Sequence, residues 1–211
     1  MRRSLLTALV AIALGLAAHG ASAQSINVAD RIEEDWVLVV DETASPDGPQ
    51  VNTVMGPTAD LSLPVVVLDI NYRHDPIYAA GGLQVLVYGR NSLISSSTVE
   101  TRPLNLANET VSWTQSLSIS GGMVNYRVPS VSSSTWGSFK ETLVLGSFPS
   151  TLTAFQDYDP DASVANSGGA WKTRGLQSLT LVQVRYYLGN KLLGTDSTAR
   201  QVDCTRPFTR P

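Results

Sequence analysis

Between Thr110 and Pro129 apolar residues recur at alternate positions, interrupted once by a Gly-Gly pair. Val111, Trp113, Leu117 and Ile119 share one parity, while Ser112, Thr114, Ser116, Ser118 and Ser120 fill the other. A period of two is the pattern of a strand with one face in a core and one in water. Gly121-Gly122 tolerates the positive φ values of a two-residue primed turn. A turn there sets Ser120 opposite Met123, Ile119 opposite Val124 and Leu117 opposite Tyr126. That register carries Val124, Tyr126 and Val128 to the face of the first strand's apolar set. Turn chemistry and hydrophobic pattern require the same hairpin.

The rest of the chain repeats the strand theme. Asp35 to Asp41, Val65 to Tyr72 and Leu83 to Tyr88 are short β-branched and aromatic runs, punctuated by Pro46, Gly48, Pro49, Gly56, Pro57, Gly81 and Gly82. Leu176 to Leu188 reads as a long strand with Val182, Val184, Tyr186 and Leu188 on one side and Leu179 and Leu181 on the other. Apolar residues on both faces place it centrally in a two-layer stack. Gly189-Asn190 returns the chain through Leu193. No stretch sustains a helical period over three turns. The expectation is an all-β fold of ten to twelve short strands, a two-sheet antiparallel β-sandwich of jelly-roll type, with Trp36 and Trp113 in its core. Ser95 to Ser97 and Ser132 to Ser134 read as loop edges, and no second domain is indicated.

Ahead of this domain, Arg2 and Arg3 precede an apolar run from Leu5 to Ala18, followed by Ala21-Ser22-Ala23. A positive start, a short apolar stretch and small residues at −3 and −1 form an export signal. The reading is a signal peptide over 1–23, one β-sandwich domain over 24–205 and a flexible tail over 206–211. The location is secreted, or periplasmic or cell-envelope in a bacterial host. Once Arg2 and Arg3 leave with the signal, 13 basic residues face 18 acidic ones. No basic stripe of the kind nucleic acid requires is present, and no later apolar run is long enough to span a membrane. Cys204 is the one cysteine, so an internal disulfide or a cysteine-based zinc site is excluded. Its thiol reads as part of the tail or, in an oxidising compartment, as a partner in an intermolecular disulfide.

Glu109 to Phe139 resembles the core of secreted concanavalin A-like jelly-roll domains, which include laminin G-like modules. The alternating strand VSWTQSLSIS, the Gly-Gly hairpin into MVNYRVP and the following Ser-Thr-Trp136-Gly-Ser-Phe139 carry the likeness. The strand RGLQSLTLVQVRYY is similar to the closing strand of such a sandwich. The resemblance implies glycan binding, glycan cleavage or adhesion. The Glu-x-Asp-x-x-Glu run of the glycosidase branch and the Gln-Ile-His motif of the alginate-lyase branch are missing from this sequence.

Three groups of residues are candidates for chemistry. His74 is the one histidine outside the signal, and Tyr72, Arg73 and His74 are the residue types of a lyase's base, carboxylate neutraliser and acid. A polar strand end before Pro76 accounts for the same run, and no Gly-x-Ser-x-Gly elbow accompanies it. Asp157, Asp159 and Asp161 offer oxygen at alternate positions, as calcium loops do. Pro160 and Ala162 break the EF-hand pattern, and an Asx-turn explains the spacing locally. Trp136, Tyr158 and Trp171 fall in Ser-, Asp- or Gly-flanked stretches where a ring can stack on a sugar face or close an end of the sandwich. Glu33-Glu34-Asp35 reads as a solvated lead-in to the first strand, and Asn108-Glu109-Thr110 is a glycosylation sequon in a eukaryotic host.

The leading expectation is a non-catalytic secreted binding or surface-interaction module with a glycan ligand, with calcium as the one candidate cofactor. A structural envelope protein without a small ligand is the alternative, and a polysaccharide lyase or hydrolase is the third. Mass measurement of the exported protein should give a chain beginning at Gln24; retention of the apolar run would contradict the cleavage site.

Overall fold

The computed structural model describes residues 23–41, 49–60, 64–71, 81–89, 92–99, 104, 106–133, 137–139, 145–171 and 175–204. Thirteen strands lie among them. The larger sheet runs β12 (Lys191–Asp196), β11 (Leu176–Leu188), β1 (Arg31–Val40), β6 (Thr110–Ser120), β7 (Met123–Ser133) and β8 (Gly137–Phe139). Within it β13 (Arg200–Gln201) also pairs with β11, and β9 (Leu145–Pro149) with β7. The smaller sheet runs β10 (Gly168–Trp171), β2 (Gln50–Met55), β3 (Val65–Ile70), β4 (Leu83–Gly89) and β5 (Ser92–Val99). Every pairing is antiparallel. One short helix, α1 (Pro160–Ala165), and a 3-10 turn at Ala23–Val28 complete the described elements. The protein is an all-β sandwich of two antiparallel sheets.

The hairpin follows the sequence. Ser120 faces Met123, Ile119 faces Val124 and Leu117 faces Tyr126. Gly121 and Gly122 hold φ values of 59° and 73°, which only glycine adopts without strain. Val111, Trp113, Leu117, Val124, Tyr126 and Val128 are all buried. Opposite them, Leu68, Ile70, Leu83 and Val85 of the smaller sheet join the same core. Trp36 and Trp113, register partners on β1 and β6, stack at 6.2 Å with ring planes 8° apart. Each aliphatic side chain enclosed this way contributes about 1.5–3 kcal/mol.

Three expectations need correction. β11 has its apolar residues on one face rather than two: Leu179, Leu181, Val184 and Tyr186 are buried. A bulge explains the change of parity, because Asp35 pairs with Gln183 while Trp36 pairs with Leu181, leaving Val182 as the extra residue. The acidic run is no lead-in. β1 begins at Arg31, and Glu34 lies inside the core at 0% exposure. Its neighbours face outward, where Arg185 Nη1 meets Asp35 at 2.8 Å and Arg185 Nη2 meets Glu33 at 3.1 Å. Ser95 to Ser97 belong to β5, and Ser132 and Ser133 to β7, so these serines sit in strands.

β2 and β3 are buried throughout their length. Val54, Val65, Val67 and Leu86 form a second apolar cluster with Tyr88. Alternation places it on the face of the smaller sheet opposite the main core. The continuous run VVVLDI therefore serves two faces.

β9 crosses the smaller sheet at close quarters. A Cβ added at Gly146 would lie 2.8 Å from Val87 Cγ2 and 3.2 Å from Val85 Cγ1, both in the core. Gly146→Ala should lower stability by about 1–3 kcal/mol in denaturant unfolding, the usual cost of overpacking. Gly122→Asn, at a turn with open space around it, should cost much less; equal losses at the two sites would contradict the close approach.

Candidate functional site

The inward positions of β1 read Ile32, Glu34, Trp36, Leu38 and Val40, so one carboxylate interrupts an apolar row. Its register partner on β6 is Gln115, also fully buried. Three donors converge on Glu34. Trp36 Nε1 donates to Oε2 at 2.9 Å, Gln115 Nε2 donates to Oε2 at 2.5 Å, and the Tyr158 hydroxyl donates to Oε1. The Gln115 carbonyl in turn accepts from Thr53 Oγ1 at 3.0 Å and from the Tyr126 hydroxyl at 3.1 Å. Thr53 belongs to the smaller sheet, so this polar chain spans the layer between the sheets.

Burial disfavours ionisation here and raises the Glu34 pKa above 4.5, against the hydrogen bonds from Tyr158, Gln115 and Trp36 that favour the anion. Tyr158 and Tyr126 are pushed well above 10, by burial first and by the nearby Glu34 charge second. Tyr186 meets the Tyr158 ring edge-on at 6.2 Å, and burial lifts its hydroxyl to about 12.

Tyr158 leaves the core in a loop that is pinned along its length. Ser150 N–H donates to Gly122 O, Phe155 N–H to Ala29 O, and Ala59 N–H to Asp157 O at 2.8 Å. Phe155 itself is buried. Asp159 adopts extended φ and ψ and accepts from Asp161 N–H at 2.9 Å, capping α1, whose first residue is Pro160. Past the helix, Ser167 Oγ donates to Ser163 O and accepts from Val54 N–H of β2. Between this loop and the segment after β2 lies a cleft of about 170 Å³, lined by Pro57, Thr58, Thr151, Leu152, Thr153, Ala154, Gln156 and Asp157.

The residues named from sequence are spread through the structure. Tyr158 anchors the loop through its hydroxyl, with its ring against Tyr186. Asp157 lines the cleft, Asp159 is a helix cap, and Asp161 pairs with Arg200 at 2.5 Å. Arg200 also holds Asp196 at 2.7 Å. The three aspartates point to three different tasks, and among the described residues no group of three His, Cys, Asp or Glu side chains is placed to hold a metal ion. Trp171 ends β10, its backbone in register with Gln50 at the start of β2, whereas the cleft begins just past the end of that strand. About 20 Å of extended chain separates them. Beside Trp171, Gln50 and Asn52 are buried with both ends of each amide unpaired. Trp136, Tyr72, Arg73 and His74 lie outside the described residues. Cys204 is half-buried against the core, and burial raises its thiol pKa.

Sequence reasoning missed Glu34 and Gln115. The available signal was parity: both occupy apolar positions of strands whose other inward residues are large and hydrophobic. No family model, curated protein or solved structure matches this chain.

Replacing Glu34 separates two effects. Glu34→Leu leaves Trp36, Gln115 and Tyr158 without their acceptor and should cost at least about 3 kcal/mol. Glu34→Gln keeps an acceptor and should preserve the fold. Below pH 4.5 the wild-type carboxyl is protonated in both states. As pH rises through 4.5 and then through the raised folded value, the unfolded chain ionises first and stability falls. The difference in melting temperature between wild type and Glu34→Gln should therefore move in favour of the variant as pH rises from 4 to 7. A pH-independent difference would contradict the buried carboxyl.

Proposed function

We propose that the protein is an exported, non-catalytic binding module that holds a polyhydroxylated ligand, a glycan, in the cleft at Asp157. The observation that carries this reading is the cleft's lining. Thr58, Thr151 and Thr153 supply hydroxyls, Gln156 an amide and Asp157 a carboxylate, with Pro57, Leu152 and Ala154 as apolar contacts. Sugar hydroxyls both donate and accept, and this set does the same. Concave sites with a few convergent polar groups are where small ligands bind.

The chemistry favours binding over cleavage. Glycoside hydrolysis uses two carboxyl groups across the scissile bond, and Asp157 is the one carboxylate among the described lining residues. Glu34 is turned into the sandwich, with its oxygens committed to Trp36, Gln115 and Tyr158. No aromatic ring is part of the described lining, so recognition rests on hydrogen bonds in place of the ring stacking expected at Tyr158. The N-terminal signal pattern and the concanavalin A-like resemblance support an extracellular or envelope setting for such a ligand.

A glycan array probed with the mature protein should give a hit. Calorimetry on that glycan should show Gln156→Ala and Asp157→Ala weakening affinity by about tenfold or more, the scale of one hydrogen bond to a charged or polar partner. Melting temperatures should stay close to wild type, and Trp171→Ala should leave the affinity unchanged. Blank arrays together with retention on the cell surface would favour a structural envelope role, and binding lost with Trp171 but kept without Asp157 would move the site to β10.

A further inference from the structure

We propose that Gln50, Asn52 and Asp69 form a calcium site on the face of the smaller sheet turned away from the main core. Strand register brings them together. Asn52 on β2 pairs with Asp69 on β3, and Asp69 pairs with Gln84 on β4. The next row on the same face is Val54, Val67 and Leu86, three members of the second apolar cluster. Alternation along each strand therefore sets the polar row beside that cluster. Gln50, two residues before Asn52, joins the same face.

Asn52 and Asp69 are 0% exposed and Gln50 2%. A buried amide ordinarily finds partners for its oxygen and its nitrogen. Asn71 shows that state, donating to Pro49 O at 2.7 Å and accepting from Leu104 N–H at 3.0 Å. Neither end of Gln50 or Asn52 has a hydrogen-bond partner. Two buried amides side by side with all four polar atoms unbonded, next to a buried carboxylate, point to a small occupant that supplies the missing contacts.

The donor set selects calcium. Carboxylate and amide oxygens are its usual ligands, at about 2.3–2.6 Å, and it accepts an irregular set that keeps some water. Magnesium demands a near-ideal octahedron. Cross-strand neighbours have Cβ atoms about 5 Å apart, so Asn52 and Asp69 can reach one ion. Gln50 starts about 7 Å along β2 and has the longer side chain. Waters kept by the ion can accept from the amide nitrogens. On the other side of Asn52 its register partner is Gly168, which brings no side chain into the space. The row meets solvent at its far end, where Gln84 is 9% exposed and its partner on β5, Thr98, is exposed.

Thermal unfolding of the full mature chain, stripped with a chelator and then titrated with calcium, tests this. The midpoint should rise steadily with the logarithm of free calcium, since the ion binds only the folded chain. Asn52→Leu should abolish that rise and leave the calcium-free midpoint at or above wild type, because an unpaired buried amide gives way to an apolar side chain. Asn52→Asp should lower the calcium-free midpoint by setting like charges opposite each other, and calcium should recover the loss. Asp161→Asn should leave the rise as in wild type. No rise through about 10 mM calcium, beyond the range of extracellular calcium modules, would overturn the proposal and assign the amides to buried water. A rise that survives Asn52→Leu, or one that disappears with Asp161→Asn, would also overturn it. So would a calcium-free midpoint lowered by Asn52→Leu, which would make the amide a structural group.

Discussion

A carboxylate set between two β-sheets must find its hydrogen bonds where it stands, and the arrangement that satisfies Glu34 ties together parts of this fold that hydrophobic contact alone would leave independent. Leaving such a group unpaired costs several kcal/mol. Here the donors come from three places: Trp36 on the same strand, Gln115 on the neighbouring strand and Tyr158 on a distant loop. Gln115 carries the network on to Thr53 in the opposite sheet. Apolar burial is non-directional, whereas a chain of directed bonds adds a further constraint on the relative position of the layers.

The same network reaches the surface through Tyr158. Its hydroxyl is held at Glu34 and its ring at Tyr186, and the preceding residue is a wall of the cleft. Asp157 also fastens the opposite wall, accepting from Ala59 N–H. A cleft so held would not have to be ordered by the glycan proposed for it, which would spare much of the entropic cost of binding. The position of Tyr158 thus explains why an aromatic in an aspartate-rich loop serves as a post for the cleft wall, with Asp157 beside it lining the cleft.

The architecture was legible in the sequence because the strands that carry it keep a strict period. The Gly121-Gly122 hairpin came through residue by residue, since a turn type and a hydrophobic parity agreed there. β11 was harder: one bulge at Val182 shifts the parity, so a one-faced strand looked two-faced. Glu34 was hidden by composition, because three acidic residues in a row resemble a solvated segment until β1 is seen to begin at Arg31. The cleft was not legible: Asp157 stood out only as a calcium ligand. Its other walls come from Thr58 and from Thr151 to Gln156, segments joined by the fold and by no motif. Trp171 and Tyr158 looked alike in sequence, yet opposite ends of β2 separate them.

Amide hydrogen exchange in Tyr158→Phe tests most directly whether Glu34 holds the cleft wall. Losing the hydroxyl removes one bond from the loop and leaves the ring contact with Tyr186 in place. The account predicts faster exchange across residues 151–157, with β1, β6 and β11 protected as in wild type. Unchanged exchange in that loop would contradict it, and loss of protection throughout the sheets would assign Tyr158 to the core alone.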